Sequence, residues 1–300
     1  MKKDLLLFFL LFSFLGEAQV QLLVLGTAQD AGAPQINCLK SCCVSRWATG
    51  EKEPVVALGL IDQRNNTHYL FEATPDVGQQ LYALSSEEKT EHLGGVFLTH
   101  AHMGHYSGLL YFGKEAMGAR KVLVNAFPRM VHFLKSNGPW EQLVSEQNIQ
   151  LNVLNESPMR LADQLSVIPF KVPHRDEFSE TAGYEIIGPN KKAIFIPDID
   201  KWERWETPIE EVIKRVDFAF IDATFFDGNE LPNRDMNAIP HPFVIESLER
   251  FKSLSALDKK KIYFIHFNHT NPLLNEHSTA AMQVKKAGFN IARKGLKVDL

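Results

Sequence analysis

The chain has 300 residues, 45% of them hydrophobic, with 32 Lys and Arg set against 36 Asp and Glu for a formal net charge of −4. That is enough chain and apolar content to bury a sizeable core, and it leaves no basic surplus for nucleic acid and no charge block of the disordered kind. No internal repeat or low-complexity linker divides it, so one domain is expected over 19–300.

The first eighteen residues read differently from the rest. Lys2 and Lys3 precede an apolar run from Leu5 to Leu15, and the small residues Gly16 and Ala18 flank a cut before Gln19. A positive start, a short apolar stretch and a small-residue cleavage site predict a secretory signal peptide over 1–18. The run is too short to cross a hydrocarbon layer of about 30 Å as a helix. The expected mature protein starts at Gln19 and is exported, periplasmic or secreted, with no membrane attachment after cleavage.

Apolar, β-rich segments follow at 21–26, 55–61, 67–72, 95–99, 121–124, 149–154, 166–172, 183–187, 192–196, 216–221 and 260–266. Helical patterns occupy 75–85, with Thr74 as a cap and Pro75 in the first turn, and then 106–117, 128–136, 208–215, 242–253 and 279–287. The early strands run in meander-like succession and the later ones alternate with helices. The expected architecture is α/β, two sheets with helices packed outside.

All three cysteines lie in "NCLKSCC", as Cys38, Cys42 and Cys43. An oxidising compartment would permit a disulfide, but any pairing leaves one thiol over. Three thiols this close suit a tetrahedral metal clip that takes a fourth ligand from elsewhere. The residues alone leave clip, disulfide with a free thiol, and unremarkable cysteines all open.

The densest chemistry is in "FLTHAHMGHYSGL", where His100, His102 and His105 fall between a strand and a helix. In extended chain, residues two apart point to one side, so His100 and His102 can reach a single ion. His174 follows "LSVIPFKVP", Asp198 follows "KAIFIP" and His266 follows "KIYFI". Each is the first imidazole or acid after an apolar strand, so all can converge on one rim. Imidazole and carboxylate are the donors of catalytic zinc, manganese or iron.

The order strand, H-x-H-x-x-H, helix, then His, Asp and His resembles the metallo-β-lactamase fold superfamily across the mature chain. "VLGTAQDAGAPQINC", "TPD", "HYSGL" and "HFNHTNPL" look most like the branch of pyrroloquinoline quinone biosynthesis protein B, with the phosphoribosyl cyclic phosphodiesterases as a neighbouring branch. The resemblance implies an αββα four-layer sandwich. It also implies one ion on His100, His102 and His174, and a second on His105 and His266, with Asp198 bridging. The superfamily usually has Asp where Gly104 stands, and Met103 is no substitute, so the second position is expected to be the weaker. In the phosphodiesterase branch, cysteines and a histidine three residues after the last catalytic one hold a structural zinc. The corresponding set here is Cys38, Cys42, Cys43 and His269.

The resemblance implies a metal-dependent hydrolase of a small ester-like molecule, a phosphodiester ahead of a lactone or lactam, using metal-activated water. Zinc is the expected ion, with manganese or iron as alternatives. An iron-dependent oxygenase, a cofactor-biosynthesis enzyme and a non-catalytic metal-binding exported protein stay open because of Gly104. Asp198 would bridge or orient, and Asp76 or Asp222 would hold ligating imidazoles. His241, just before a helix, is the candidate general acid, and the phosphodiesterase branch carries a histidine in a comparable place. Arg175 and Arg234 are weaker candidates for clamping an anionic group.

Overall fold

A computed structural model describes residues 19–231, 235 and 238–300. The expected leader over 1–18 and Arg234 lie outside the described residues. The first sheet is built from β1 (Val20–Gly26), β2 (Ala57–Asp62), β3 (Thr67–Phe71), β4 (His92–Phe97), β5 (Val122–Ala126) and β6 (Ile149–Val153), in that spatial order. The second holds β7 (Met159–Ala162), β8 (Leu165–Val172), β9 (Thr181–Ile187), β10 (Lys192–Ile196), β11 (Phe218–Asp222), β12 (Ile262–Ile265) and β13 (Asn290–Ile291). The closing strand β14 (Lys297–Asp299) returns to the first sheet, antiparallel to β1.

Each sheet is half meander and half crossover. β1, β2 and β3 pair antiparallel, while β3, β4, β5 and β6 pair parallel. The second sheet repeats the scheme, antiparallel from β7 to β10 and parallel from β10 to β13. The sequence suggested one meander early and strands alternating with helices later. The structure corrects this, because the short β7 is half-exposed and opens a second meander that hydropathy barely marks.

Parallel neighbours need a connection across the sheet face, and helices supply it. After α1 (Ser41–Thr49) come α2 (Val77–Tyr82), α3 (Met103–Tyr106), α4 (Pro128–Ser136) and α5 (Trp140–Ser145) on the first sheet. The second carries α6 (Ile209–Lys214), α7 (Val244–Arg250), α8 (Ala256–Lys259) and α9 (Thr279–Lys286). Successive strand residues divide between layers. Leu22, Leu58, Phe71 and Phe97 meet Tyr184, Phe195 and Phe220 between the sheets. Leu23, Leu70 and Val124 pack outward on Leu109, Met130 and Leu134. Ile194, Ile221 and Phe264 pack outward on Ile209, Val212 and Val284. Three apolar layers separated by two sheets make the αββα sandwich, and strands buried on both faces read as unbroken apolar runs.

Two expected helices change. The segment 106–117 is not one helix: α3 gives way to a tighter 3-10 turn, Ser107–Phe112. There the Gly108 amide donates to the Ala73 carbonyl at 2.8 Å and the Ala73 amide to the His105 carbonyl at 2.9 Å. A side chain at 108 would put its Cβ 2.0 Å from the Thr74 carbonyl oxygen, so glycine lets the turn dock on the exit of β3. The helix expected from Pro75 starts at Val77, with Asp76 at the cap position, while Thr74 Oγ1 accepts from the Asp76 amide at 3.0 Å.

Candidate metal centre

The chemistry-bearing residues emerge from the C-terminal ends of β3, β4, β8, β10, β11 and β12, where open α/β sheets hold their ligands. Glu72 follows β3, and Thr99, His100, His102 and His105 follow β4. His174 follows β8, Asp198 and Asp200 follow β10, Asp222 ends β11, and His266 follows β12. Glu72 (φ 80) and His266 (φ 69) are both in the left-handed region, which side chains rarely adopt. Such outliers persist where the surrounding structure holds them for a purpose.

Asp198 is the hub. Its Oδ2 lies 3.3 Å from His100 Nε2 and 3.9 Å from both His102 Nδ1 and His105 Nε2. Its Oδ1 lies 3.3 Å from His174 Nε2 and 3.1 Å from His241 Nδ1. One ligand atom from each of His100, His102, His174 and Asp198 falls within 4.8 Å of the others, as does a set from His105, Asp198 and His266. Apart from the part-exposed His102, every member is buried.

Hydrogen bonds settle which nitrogen each ring presents. Thr99 Oγ1 donates to Glu72 Oε1 at 2.6 Å and so accepts from His100 Nδ1 at 2.9 Å. His105 Nδ1 donates to the same Glu72 oxygen at 3.1 Å. The second sheet repeats the arrangement: Thr224 Oγ1 donates to Asp222 Oδ1 at 2.7 Å and accepts from His266 Nδ1 at 2.9 Å. With Nδ1 carrying the hydrogen, Nε2 of these rings holds a lone pair. Four buried atoms, His105 Nε2, His174 Nε2, His266 Nε2 and Asp198 Oδ1, take no hydrogen bond. His100 Nε2 and His102 Nδ1 stand 2.7 Å apart, a separation two lone pairs tolerate only with a cation or proton between them. Neutral imidazoles oriented by outer carboxylates around a shared Asp fit a divalent zinc-type ion.

Without an ion, the same carboxylates favour protons on several of these rings. Burial would raise the Asp198 carboxyl, but His174, His241 and His266 outweigh it and hold it well below the carboxylate range. Burial depresses His174, yet Asp198 outweighs it and lifts its pKa to about 9. His241 is likewise pushed up to about 10, burial being outweighed by Asp222 and Asp198. His105 is raised against burial by Glu72. His100, by contrast, is driven well below its ordinary value by burial and the His105 charge. The buried carboxylates thus draw positive charge inward, as protons on rings or as a metal ion.

Other sequence candidates divide. His241 Nδ1 donates to Asp222 Oδ2 at 2.9 Å, and the ring lines a cavity with Asp30, Arg175, Phe225 and Ile239. Arg175 Nη2 lies 3.3 Å from His102 Nε2, at the exposed mouth. Asp222 holds imidazoles as expected, but Asp76 does not. Its carboxylate turns back to the Val55 amide at 2.9 Å and to Lys52, bracing the start of α2. Glu72 fills the role assigned to Asp76. It went unnoticed although, like Asp198, it is the first acid after an apolar strand. Thr99 and Thr224 carry no such signal, and Glu177, 3.3 Å from His102 Nε2, sits on an irregular loop.

The cysteines form a second group. All three are free, and one ligand atom from each, with one from His269, lies within 4.8 Å of the others. Cys42 and Cys43 lie in the first turn of α1, a helix the sequence reading did not anticipate. Burial and the neighbouring Cys43 sulfur push Cys42 up to about 12, crowding that a shared cation relieves.

The family model of the Beta-lactamase superfamily domain matches residues 67–267. The chain belongs to the beta-lactamase superfamily. The match runs from β3 through the residue after His266, so it contains both imidazole sets and leaves the cysteines outside. This superfamily member is similar to Coenzyme PQQ synthesis protein B of Methylorubrum extorquens (strain PA1), 26% identical over 311 residues, covering 94% of this chain and 100% of that one. It is 24% identical to the protein of that name from Xanthomonas campestris pv. campestris (strain B100), over 94% and 100% of the two chains. Among solved structures, Zn(2+)-bound PqqB from Methylobacterium extorquens superposes with a TM-score of 0.77 at 22% identity, over 93% and 100%. A diphosphatase from the PhnP family gives 0.65 at 22%, over 93% and 96%. These likenesses establish the metallo-β-lactamase fold read from the histidine pattern.

Proposed function

We propose that the protein is a metal-dependent hydrolase of a small ester-like substrate, with a phosphodiester ahead of a lactone or lactam. The observation that supports it is the convergence of five imidazoles on Asp198 with lone pairs left unpartnered. His100, His102, His174 and Asp198 would hold one zinc, and His105, Asp198 and His266 a second, more weakly held; manganese or iron suits the same donors. An ion held there supplies Lewis acidity and a water-derived nucleophile at neutral pH. Asp222 fixes His241 through Nδ1, so Nε2 is free to protonate a leaving oxygen in the cavity that His241 lines. Arg175 on the same cavity attracts an anionic group. The nature of the PhnP-family neighbour, a diphosphatase, supports a substrate attacked at phosphorus.

Cys38, Cys42, Cys43 and His269 would hold a structural zinc that joins α1 to the loop after β12. Cys42→Ser should lower zinc content by one equivalent, and unchanged content refutes the clip. The apolar run at Leu5–Leu15 supports export, with the mature enzyme in the periplasm or outside the cell. Among the described residues no helix is long and apolar enough to cross a membrane.

A second reading has its own support. Similarity to Coenzyme PQQ synthesis protein B extends over that protein's full length, which favours a cofactor-biosynthesis step at the same centre. The two separate in one experiment: elemental analysis, then hydrolysis of a chromogenic bis-phosphodiester with zinc, manganese or iron added. Turnover that His102→Ala abolishes supports the hydrolase. Inactivity with every metal overturns it in favour of the second reading.

A further inference from the structure

Gly104 stands where the resemblance leads one to expect a carboxylate, and the structure shows what occupies that space. A Cβ at 104 would lie 2.5 Å from Asp30 Cα, 2.9 Å from its carbonyl oxygen and 3.0 Å from its Oδ1. Two of those atoms are backbone, so no rotamer change at Asp30 would admit a side chain. The loop after β1 has closed over α3, and it has brought its own carboxylate with it.

That loop is held firmly. The Gln29 amide donates to the Phe267 carbonyl at 2.8 Å and the Phe267 amide to the Thr27 carbonyl at 2.7 Å, so the turn is tied to the residue after His266. The Gly32 amide donates back to the Gln29 carbonyl at 3.0 Å, and Asp30 takes φ 40, a conformation aspartate tolerates better than most residues. The Asp30 carboxylate has no hydrogen-bond or ion-pair partner among the described residues. It lines the His241 cavity. A half-buried carboxylate is thus left unpaired 3.0 Å from where a Cβ at 104 would stand, next to a ligand set whose one carboxylate is Asp198.

We infer that Asp30 supplies the carboxylate of the ion position formed by His105, Asp198 and His266, in place of the one absent at 104. The inference rests on the metal-centre reading above. Glycine at 104 is then not a lost ligand: it makes room for a ligand delivered from β1.

The test uses the full mature chain, stripped of metal and titrated with zinc by calorimetry, with elemental analysis after dialysis. Asp30→Asn, isosteric and on a surface loop, should weaken the His105–His266 ion by ten-fold or more. The His100–His102–His174 ion should stay within about two-fold, and His105→Ala marks which binding event is which. Asp30→Asn with both affinities within two-fold of wild type overturns the inference. If His105→Ala also leaves zinc binding unchanged, the second ion position itself fails, a separate result. Gly104→Asp should not rescue Asp30→Asn, because the backbone contact remains, and restored affinity in that double variant counts against the inference.

Discussion

Replacing Glu72 by Gln changes one atom in a fully buried side chain and tests the outer support of the centre. Glu72 Oε1 accepts from Thr99 Oγ1 and His105 Nδ1, while Oε2 accepts from the Thr99 amide at 3.2 Å. An amide has one acceptor oxygen and an NH2 that can only donate. Whichever way it turns, the NH2 faces a donor, the Thr99 amide on one side or Thr99 Oγ1 and His105 Nδ1 on the other. One buried donor left unpaired costs about 1–3 kcal/mol, and bonds to a charged acceptor contribute about 1.5–3 kcal/mol, so a loss of about 3 kcal/mol is expected in metal-free protein. His105 also loses the acceptor that holds its hydrogen on Nδ1, which weakens binding at that ion by roughly 10–100-fold. His100 touches Glu72 only through Thr99, so its ion should suffer less. Urea unfolding of metal-free protein and zinc titration measure both effects. An unchanged midpoint together with unchanged zinc affinity refutes the reasoning, as does weakening confined to the His100 ion.

Gly108→Ala should destabilise the protein by about 3 kcal/mol, because the new methyl meets a backbone carbonyl that cannot rotate away, and thermal melting will show it. Glu230, which accepts from Thr270 Oγ1 at 2.8 Å and from the Phe226 amide, is pushed up to about 7 by burial, from an ordinary 4.5. The folded state therefore holds this proton more tightly than the unfolded chain. Its stabilising contribution is complete below about pH 4.5 and is lost as pH rises to about 7, by at most about 3 kcal/mol. Glu230→Gln should flatten that part of the stability–pH curve, and parallel curves for variant and wild type would contradict it.

The ligand set was legible because His174, Asp198 and His266 each follow an apolar strand, and strand ends on one rim converge whatever the loops do. Glu72 obeyed the same rule, and only its reading as part of a strand concealed it. Thr99 and Thr224 could not be found this way, since threonine ends strands in every setting and their role appears only once two imidazoles meet one hydroxyl. The helix α1 escaped notice because "SCCVSRWAT" is short and buries only Cys43, leaving Val44 and Trp47 exposed. The crossover half of the first sheet was obscured where α3 shortens to dock Gly108 on β3. The exchange between Gly104 and Asp30 is purely spatial: nothing in sequence joins a turn after β1 to the ligand helix after β4.

The central claim is that Asp198 and its imidazoles form a working metal centre. The most direct measurement is the metal content of purified wild-type protein beside His174→Ala, with the cysteine group intact in both. The account predicts at least one equivalent of divalent metal in wild type that the variant lacks. Equal metal content in the two proteins, or only trace metal in wild type, would contradict it.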